Sequence, residues 1–169
     1  RLQPNDTVTI FDGRGREAHC RIDRCDNGST VQLAVLQPGS SAPLRTRITL
    51  AQAIPKRSMD LIVQKATELG VSRIVPLISD RTVIQLDERS NKIERWRNVS
   101  LEACKQCGNN WLPEIPAPVK ASRFLQDLGP YDLKLIGSLQ PDSQPLKTIL
   151  AAARADGDDS APARFESVL

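Results

Sequence analysis

The chain is poor in the residues that carry the commonest site chemistry. It has one histidine, one tyrosine and one methionine, and aromatics make up 4% of its 169 residues. Any mechanism built on a histidine base or a histidine-rich metal site hangs on His19. That residue lies in an alternating, strand-like stretch, which favours a structural or surface role. No GxGxxG, Walker loop, GxSxG or HExxH occurs, so nicotinamide, P-loop and common hydrolase readings are poor. No apolar run approaches the ~20 residues that a membrane helix needs. No basic-then-apolar opening reads as a signal peptide. A large excess of one charge is also missing: Lys+Arg total 23 and Asp+Glu 20.

Hydrophobic residues are 40% and charged residues 25%, an ordinary globular balance that argues against disorder of the whole chain. The length suffices to bury a core without metals or disulfides. Arg1 opens the chain without a Met, and the apolar run Phe165 to Leu169 closes it, so both ends are expected to be cut. Net charge is +2 over residues 1–47, +3 over 48–111 and −2 over 112–169. The basic excess suits a polyanion partner in the first two thirds, or a mixed solvated surface.

Four cysteines occur as Cys20-x4-Cys25 and Cys104-x2-Cys107. The first pair falls in a strand and the second near a helix end. Reduced thiols of a cytosolic protein are expected rather than a zinc site or a redox pair.

The first 47 residues read as short strands. Thr7–Phe11, Arg16–Arg24 and Thr30–Leu36 are separated by the turn signals Asp12-Gly13-Arg14-Gly15 and Asp26-Asn27-Gly28-Ser29. This predicts a small all-β barrel or sandwich. Gln37–Pro43 carries loop chemistry and marks a domain boundary.

After it the period changes. Arg47–Ile54 reads as a strand and Ser58–Leu69 as a helix, with apolar residues at 59, 62, 63, 66 and 69. Ser58 is the expected N-cap and Gly70 the left-handed C-terminal residue. Arg73–Ile78 reads as a strand whose Pro76 implies an edge or an irregularity. Asn91–Cys107 is a helix ended by Gly108, Leu133–Leu139 a strand, Leu146–Ala155 a short helix and Glu166–Leu169 a strand. Strand and helix in alternation predict a parallel sheet with right-handed crossovers.

Ligands of such sheets bind beyond the C-terminal strand ends. Those ends are Pro55-Lys56-Arg57, Ser79-Asp80-Arg81 and Ser138-Leu139-Gln140-Pro141. Lys56 and Arg57, just before a helix N-terminus, are either a phosphate site or solvated cations. Asp80 and Arg81 pair with each other or serve substrate. Glu102 and Gln106, four apart on a helix, can hydrogen-bond together.

The run Met59-Asp60-Leu61-Ile62-Val63-Gln64-Lys65-Ala66-Thr67-Glu68-Leu69-Gly70-Val71 is followed by Ile74-Val75-Pro76-Leu77 and Ser79-Asp80-Arg81. Arg95-Trp96, Glu102-Ala103-Cys104, Gln106-Cys107-Gly108 and Pro113-Glu114-Ile115 come later. Together with Asp12-Gly13-Arg14-Gly15, these resemble the bacterial 16S ribosomal RNA uridine-N3 methyltransferases, the RsmE family of SPOUT enzymes. The resemblance implies a PUA-like β-barrel for RNA binding (residues 1–43, its start missing). It implies next a SPOUT domain (44–169) that lacks its trefoil knot. It further implies S-adenosylmethionine as cofactor, a homodimer, and 16S ribosomal RNA or the small subunit as partner. Arg81 is then the expected catalytic cation, and Lys56, Arg57, Arg14 and Arg16 the RNA-binding residues. Ser138, Leu139, Gln140 and Pro141 are the expected cofactor-binding residues, with no metal.

The family's Gly-Pro-Glu-Gly-Gly and Leu-Arg-Thr-Glu-Thr-like runs are not in this sequence, so weak cofactor binding and no turnover are expected of it. Where members carry Glu-Gln-Cys-Gly-Arg, this chain has Lys105-Gln106-Cys107-Gly108-Asn109. The competing readings are a non-enzymatic RNA-binding or ribosome-assembly module, and a SPOUT methyltransferase for another RNA position.

Overall fold

The computed structural model describes residues 2–26, 30–80, 82, 91–155 and 166–168. It is a mixed α/β structure with two sheets. The first is a three-stranded antiparallel sheet of β1 (Thr7–Phe11), β2 (Arg16–Asp26) and β3 (Thr30–Ser40), in that spatial order. Alternation along β2 buries Cys20 and Ile22 and exposes Arg21 and Asp23, as a pleated strand requires. His19 is exposed on the same strand, opposite Thr9 and Gln37.

Two expectations change here. Among the described residues the sheet is open, not a closed barrel. The stretch 37–40, expected as loop, continues β3, because Arg16 to His19 offer it a partner strand. Pro38 is tolerated because β3 lies at the sheet edge, where a missing N–H costs no ladder bond.

The second sheet is parallel and five-stranded. It comprises β4 (Arg47–Ala53), β5 (Arg73–Ile78), β6 (Val119–Lys120), β7 (Leu133–Lys134) and β8 (Glu166–Val168), in the order β6-β5-β4-β8-β7. Among the described residues, helices α1 (Met59–Glu68), α2 (Lys92–Cys107), α3 (Ala121–Gln126) and α4 (Leu146–Ala155) join them. The two-residue β6 and α3 were not expected. β7 ends at Lys134, well short of the expected Leu139. Among the described residues it pairs with the three-residue β8 alone, through Leu133–Ser167 and Lys134–Val168.

Ile54, Met59, Val63, Ala66, Ile74, Trp96 and Ile115 form the core between the sheet and α1 and α2. Burying such side chains contributes about 1.5–3 kcal/mol each for the larger ones. Leu69, expected on the buried face of α1, is 78% exposed, and Thr67 is buried instead. Helix α1 closes as a Schellman motif: Gly70 N–H bonds Thr67 O (3.0 Å) and Val71 N–H bonds Ala66 O (3.0 Å), with Gly70 at φ 82°.

Pro76 is not at an edge. Ile74 N–H faces Glu114 O (2.9 Å) and Leu77 O faces Ile54 N–H (2.9 Å). By alternation the Pro76 nitrogen points to the side where β6 has not yet begun, since Val119 pairs with Leu77.

Candidate nucleic-acid interface and cofactor rim

Parallel pairing of β4 with β5 delivers two strand ends side by side. From β4 the chain passes through buried Ile54 and Pro55 to Lys56 and Arg57, both exposed. Ser58 precedes α1 but does not cap it. Its backbone is left-handed (φ 72°, ψ 10°), whereas a capping serine sits in the extended region, and its side chain makes no cap bond. The first N–H groups of α1 are thus not satisfied by the Ser58 hydroxyl and lie just past two cations, an arrangement that can bind a phosphate. Asp60 in the first turn of α1 is ion-paired with Arg95 of α2.

Beyond β5, Ser79 and Thr82 close a turn. Ser79 N–H donates to Thr82 Oγ1 (2.8 Å), and Thr82 N–H donates to Ser79 O (2.9 Å). Asp80 is exposed in this turn. Arg81 lies outside the described residues, and with it the expected Asp80–Arg81 pairing.

Beyond β7, Ser138, Leu139, Gln140 and Pro141 are all exposed. Gln140 N–H donates to Ser138 Oγ (3.1 Å) and Ser143 N–H to Gln140 O (3.0 Å), so the segment is a turn. Leu139 and Ile136 are among the most exposed apolar side chains, at 103% and 88%. Because β8 lies between β4 and β7, the rim runs from Ser79 through Lys56 and Arg57 toward this turn.

Arg14 lies in the turn between β1 and β2, and Arg16 opens β2. Asp12 organises the turn: Oδ1 accepts the N–H groups of Arg14 (2.7 Å) and Arg16 (3.1 Å), and Oδ2 accepts Arg16 Nε (2.7 Å). The Arg16 side chain first, then the Arg14 amide, hold the Asp12 carboxyl below its ordinary value. Both arginines remain exposed. The structure does not bring them to the Lys56–Arg57 rim. Their turn docks on Asn110 to Leu112, just after α2 ends, and Glu114 leads from there to the start of β5. The turn therefore sits at the opposite end of α2 from the rim, and 16 helical residues span about 24 Å.

Sequence reasoning missed two features. Glu102 pairs with Lys105 (2.6 Å), not with Gln106. Gln106, Gln64, Asn98 and Arg95 line a groove of about 600 Å³ along α2. Trp111 is the second feature. It bonds Ser41 O through Nε1 (3.1 Å), a contact between segments far apart in sequence that only the Asn-Asn-Trp run after Gly108 could have hinted at.

Strands β4 to β7 and helices α1 to α4 lie in the region that a family model recognises. A model described as an RNA methyltransferase domain matches residues 42–161, and the chain belongs to that family. More particularly, the chain is similar to proteins named ribosomal RNA small subunit methyltransferase E. It is 33% identical to that of Synechocystis sp. over 138 residues (80% of this chain, 44% of the relative). It is 26% identical to that of Bacillus subtilis over 135 residues (78% and 53%). The chain thus spans about half the length of the curated relatives it matches. Among solved structures it resembles a Legionella pneumophila methyltransferase with bound SAM, with a TM-score of 0.82 and 27% identity. It also resembles the Neisseria gonorrhoeae ribosomal RNA small subunit methyltransferase E bound to S-adenosyl methionine, with a TM-score of 0.77 and 30% identity. Each superposition covers 99% of this chain and 66% of the other.

Proposed function

We propose that this chain is part of an S-adenosylmethionine-dependent methyltransferase that methylates N3 of a uridine in 16S ribosomal RNA. The observation that carries this reading is the family match over the parallel sheet, whose strand ends form an open rim with exposed cations. On this reading the antiparallel sheet is the RNA-gripping part of a PUA-like barrel (1–43). The parallel sheet (44–169) is the part of a SPOUT domain that precedes the knot. The protein acts in the cytoplasm as a homodimer.

The turn at Ser138–Pro141 fits one wall of a nucleoside pocket. Leu139 and Ile136 offer uncovered apolar surface for a flat ring, beside the polar groups of Ser138 and Gln140. When bound, the cofactor would supply the electrophilic methyl group. The residues of this chain would hold and orient the RNA. Lys56 and Arg57, with the α1 N-terminus, grip a backbone phosphate, and Arg14 and Arg16 grip the RNA farther away. Arg81 is assigned from the sequence alone, to stabilise negative charge on the uracil ring as N3 loses its proton. One open wall predicts weak binding of S-adenosylmethionine by this chain, and micromolar affinity in calorimetry would contradict that. The activity itself is tested by mass spectrometry of ribosomal RNA from cells lacking the protein. Loss of 3-methyluridine from 16S RNA is the expected result, and an unchanged level would overturn the reading.

A further inference from the structure

The segment Asn109–Ile115 touches both halves of the molecule. Toward the antiparallel sheet, Gly15 N–H donates to Asn110 O (3.0 Å) and Leu112 N–H to Gly13 O (3.0 Å). Asn110 Nδ2 donates to Glu17 Oε2 (2.6 Å) and Trp111 Nε1 to Ser41 O (3.1 Å). Toward the parallel sheet, Glu114 N–H donates to Ser72 O (3.0 Å) and Ile74 N–H to Glu114 O (2.9 Å). Arg97 Nη2 of α2 donates to Ile115 O (3.0 Å). The Trp111 ring lies on Gly15 so closely that a Cβ there would meet Cζ2 at 2.4 Å. The clamped turn carries Arg14 and leads straight into Arg16, the first residue of β2.

We propose that this strap is a ruler, with Trp111 as its positioning residue. It holds the Arg14–Arg16 turn one helix length from the Lys56–Arg57 rim, so that a folded RNA engages both cation groups at once. The inference rests on the proposed RNA-binding role and adds to it that the span is fixed. Backbone bonds on both sides, a packed indole and a buried glycine leave the turn little freedom to pivot. Two contact points on a rigid frame bind a ligand that reaches both far more tightly than either point alone, and that gain disappears when the frame loosens.

The test is a double-mutant cycle on the whole chain, read as dissociation constants for a labelled RNA hairpin and for an oligouridine too short to reach both groups. R14A/R16A is expected to weaken hairpin binding by about tenfold or more. W111A should weaken it by a similar factor and leave the short oligouridine unaffected. In the W111A background, R14A/R16A should then cost less than about threefold, because the two changes remove one shared advantage. W111F keeps a ring on Gly15 and should bind like the parent. Should W111A fail to melt cooperatively, N110A, which removes only the bond to Glu17, takes its place in the cycle. Equal costs of R14A/R16A with and without Trp111 would overturn the ruler. No effect of R14A/R16A on the parent would overturn the RNA-contact reading beneath it.

Discussion

Removing the Thr67 hydroxyl alone should be worse than removing it together with that of Ser100. Thr67 and Ser100 are both fully buried, and their oxygens lie 3.1 Å apart. Thr67 Oγ1 already donates its proton to Val63 O at 2.8 Å, so the proton between the two hydroxyls comes from Ser100. Thr67→Val keeps the shape and deletes the acceptor, stranding the Ser100 hydroxyl in a dry contact, at about 1–3 kcal/mol. Ser100→Ala deletes the donor and leaves Thr67 bonded to Val63, at about 0.5–1 kcal/mol. The double variant has no stranded group, so it should be more stable than Thr67→Val by roughly 1 kcal/mol, a coupling within the range of touching pairs. Urea unfolding of the four proteins measures this, with the buried Trp96 (3% exposed) as fluorescent reporter. The comparison holds if the slopes agree and only the midpoints move. A Thr67→Val protein as stable as the parent, or a double variant weaker than both singles, would refute the assignment.

Gly15→Ala combines a backbone at φ 90° with a Cβ 2.4 Å from Trp111 Cζ2, and should destabilise the chain by about 2–4 kcal/mol; an unchanged melting temperature would contradict it. Iodoacetamide should label the exposed Cys25 and Cys107 in the folded chain, with Cys20 and Cys104 reacting only after unfolding, as peptide mapping would show. Burial, with Cys107 nearby, pushes the Cys104 thiol from 9.0 up to about 11. The folded state then keeps a proton that the unfolded chain releases, so this stability is full below 9.0 and lost as pH rises through about 11. Cys104→Ala should shrink that alkaline loss in urea midpoints. At acid pH the signs reverse. Asp12, held low by Arg16, and Glu68, held low by Lys65, stabilise the fold above their ordinary 3.8 and 4.5, and the gain is lost as pH falls through their lowered values. Asp12→Asn should flatten the acid limb of the stability curve.

Most of the parallel half was legible because its period changes cleanly near Arg47. Bounds for β4, α1, β5, α2, α4 and β8 fall within about two residues of the expected ones, the usual scatter of helix and strand ends. The misses have physical causes. Residues 37–40 carry turn chemistry, yet β2 is long enough to pair with them, and pairing outweighs propensity. Residues 135–139 carry strand chemistry, but among the described residues no strand pairs with them. A two-residue strand such as β6 has no period to read. At the site, topology alone placed Lys56, Arg57, Ser79 and Asp80 on one rim. It could not show that Arg14 and Arg16 lie at the other end of α2. That separation is set by the contacts of Trp111 and Asn110 with residues up to 93 positions away, and no local pattern encodes these.

The order of strands in the parallel sheet has a kinetic consequence. β4 sits in the middle, yet its partners arrive at very different times: Thr49 pairs with Arg73, whereas Arg47 pairs with Glu166. On a chain emerging from the ribosome, β1 to β3 can close as hairpins almost at once, and β4 can dock on β5 after one crossover. The other flank of β4, with its unpaired N–H and C=O groups, stays open until β8 has been synthesised. Such late, non-local closure slows folding and leaves a strand edge available to other chains in the interval. Arg47, Thr49 and their neighbours therefore mark the place where a stalled or shortened nascent chain would aggregate first.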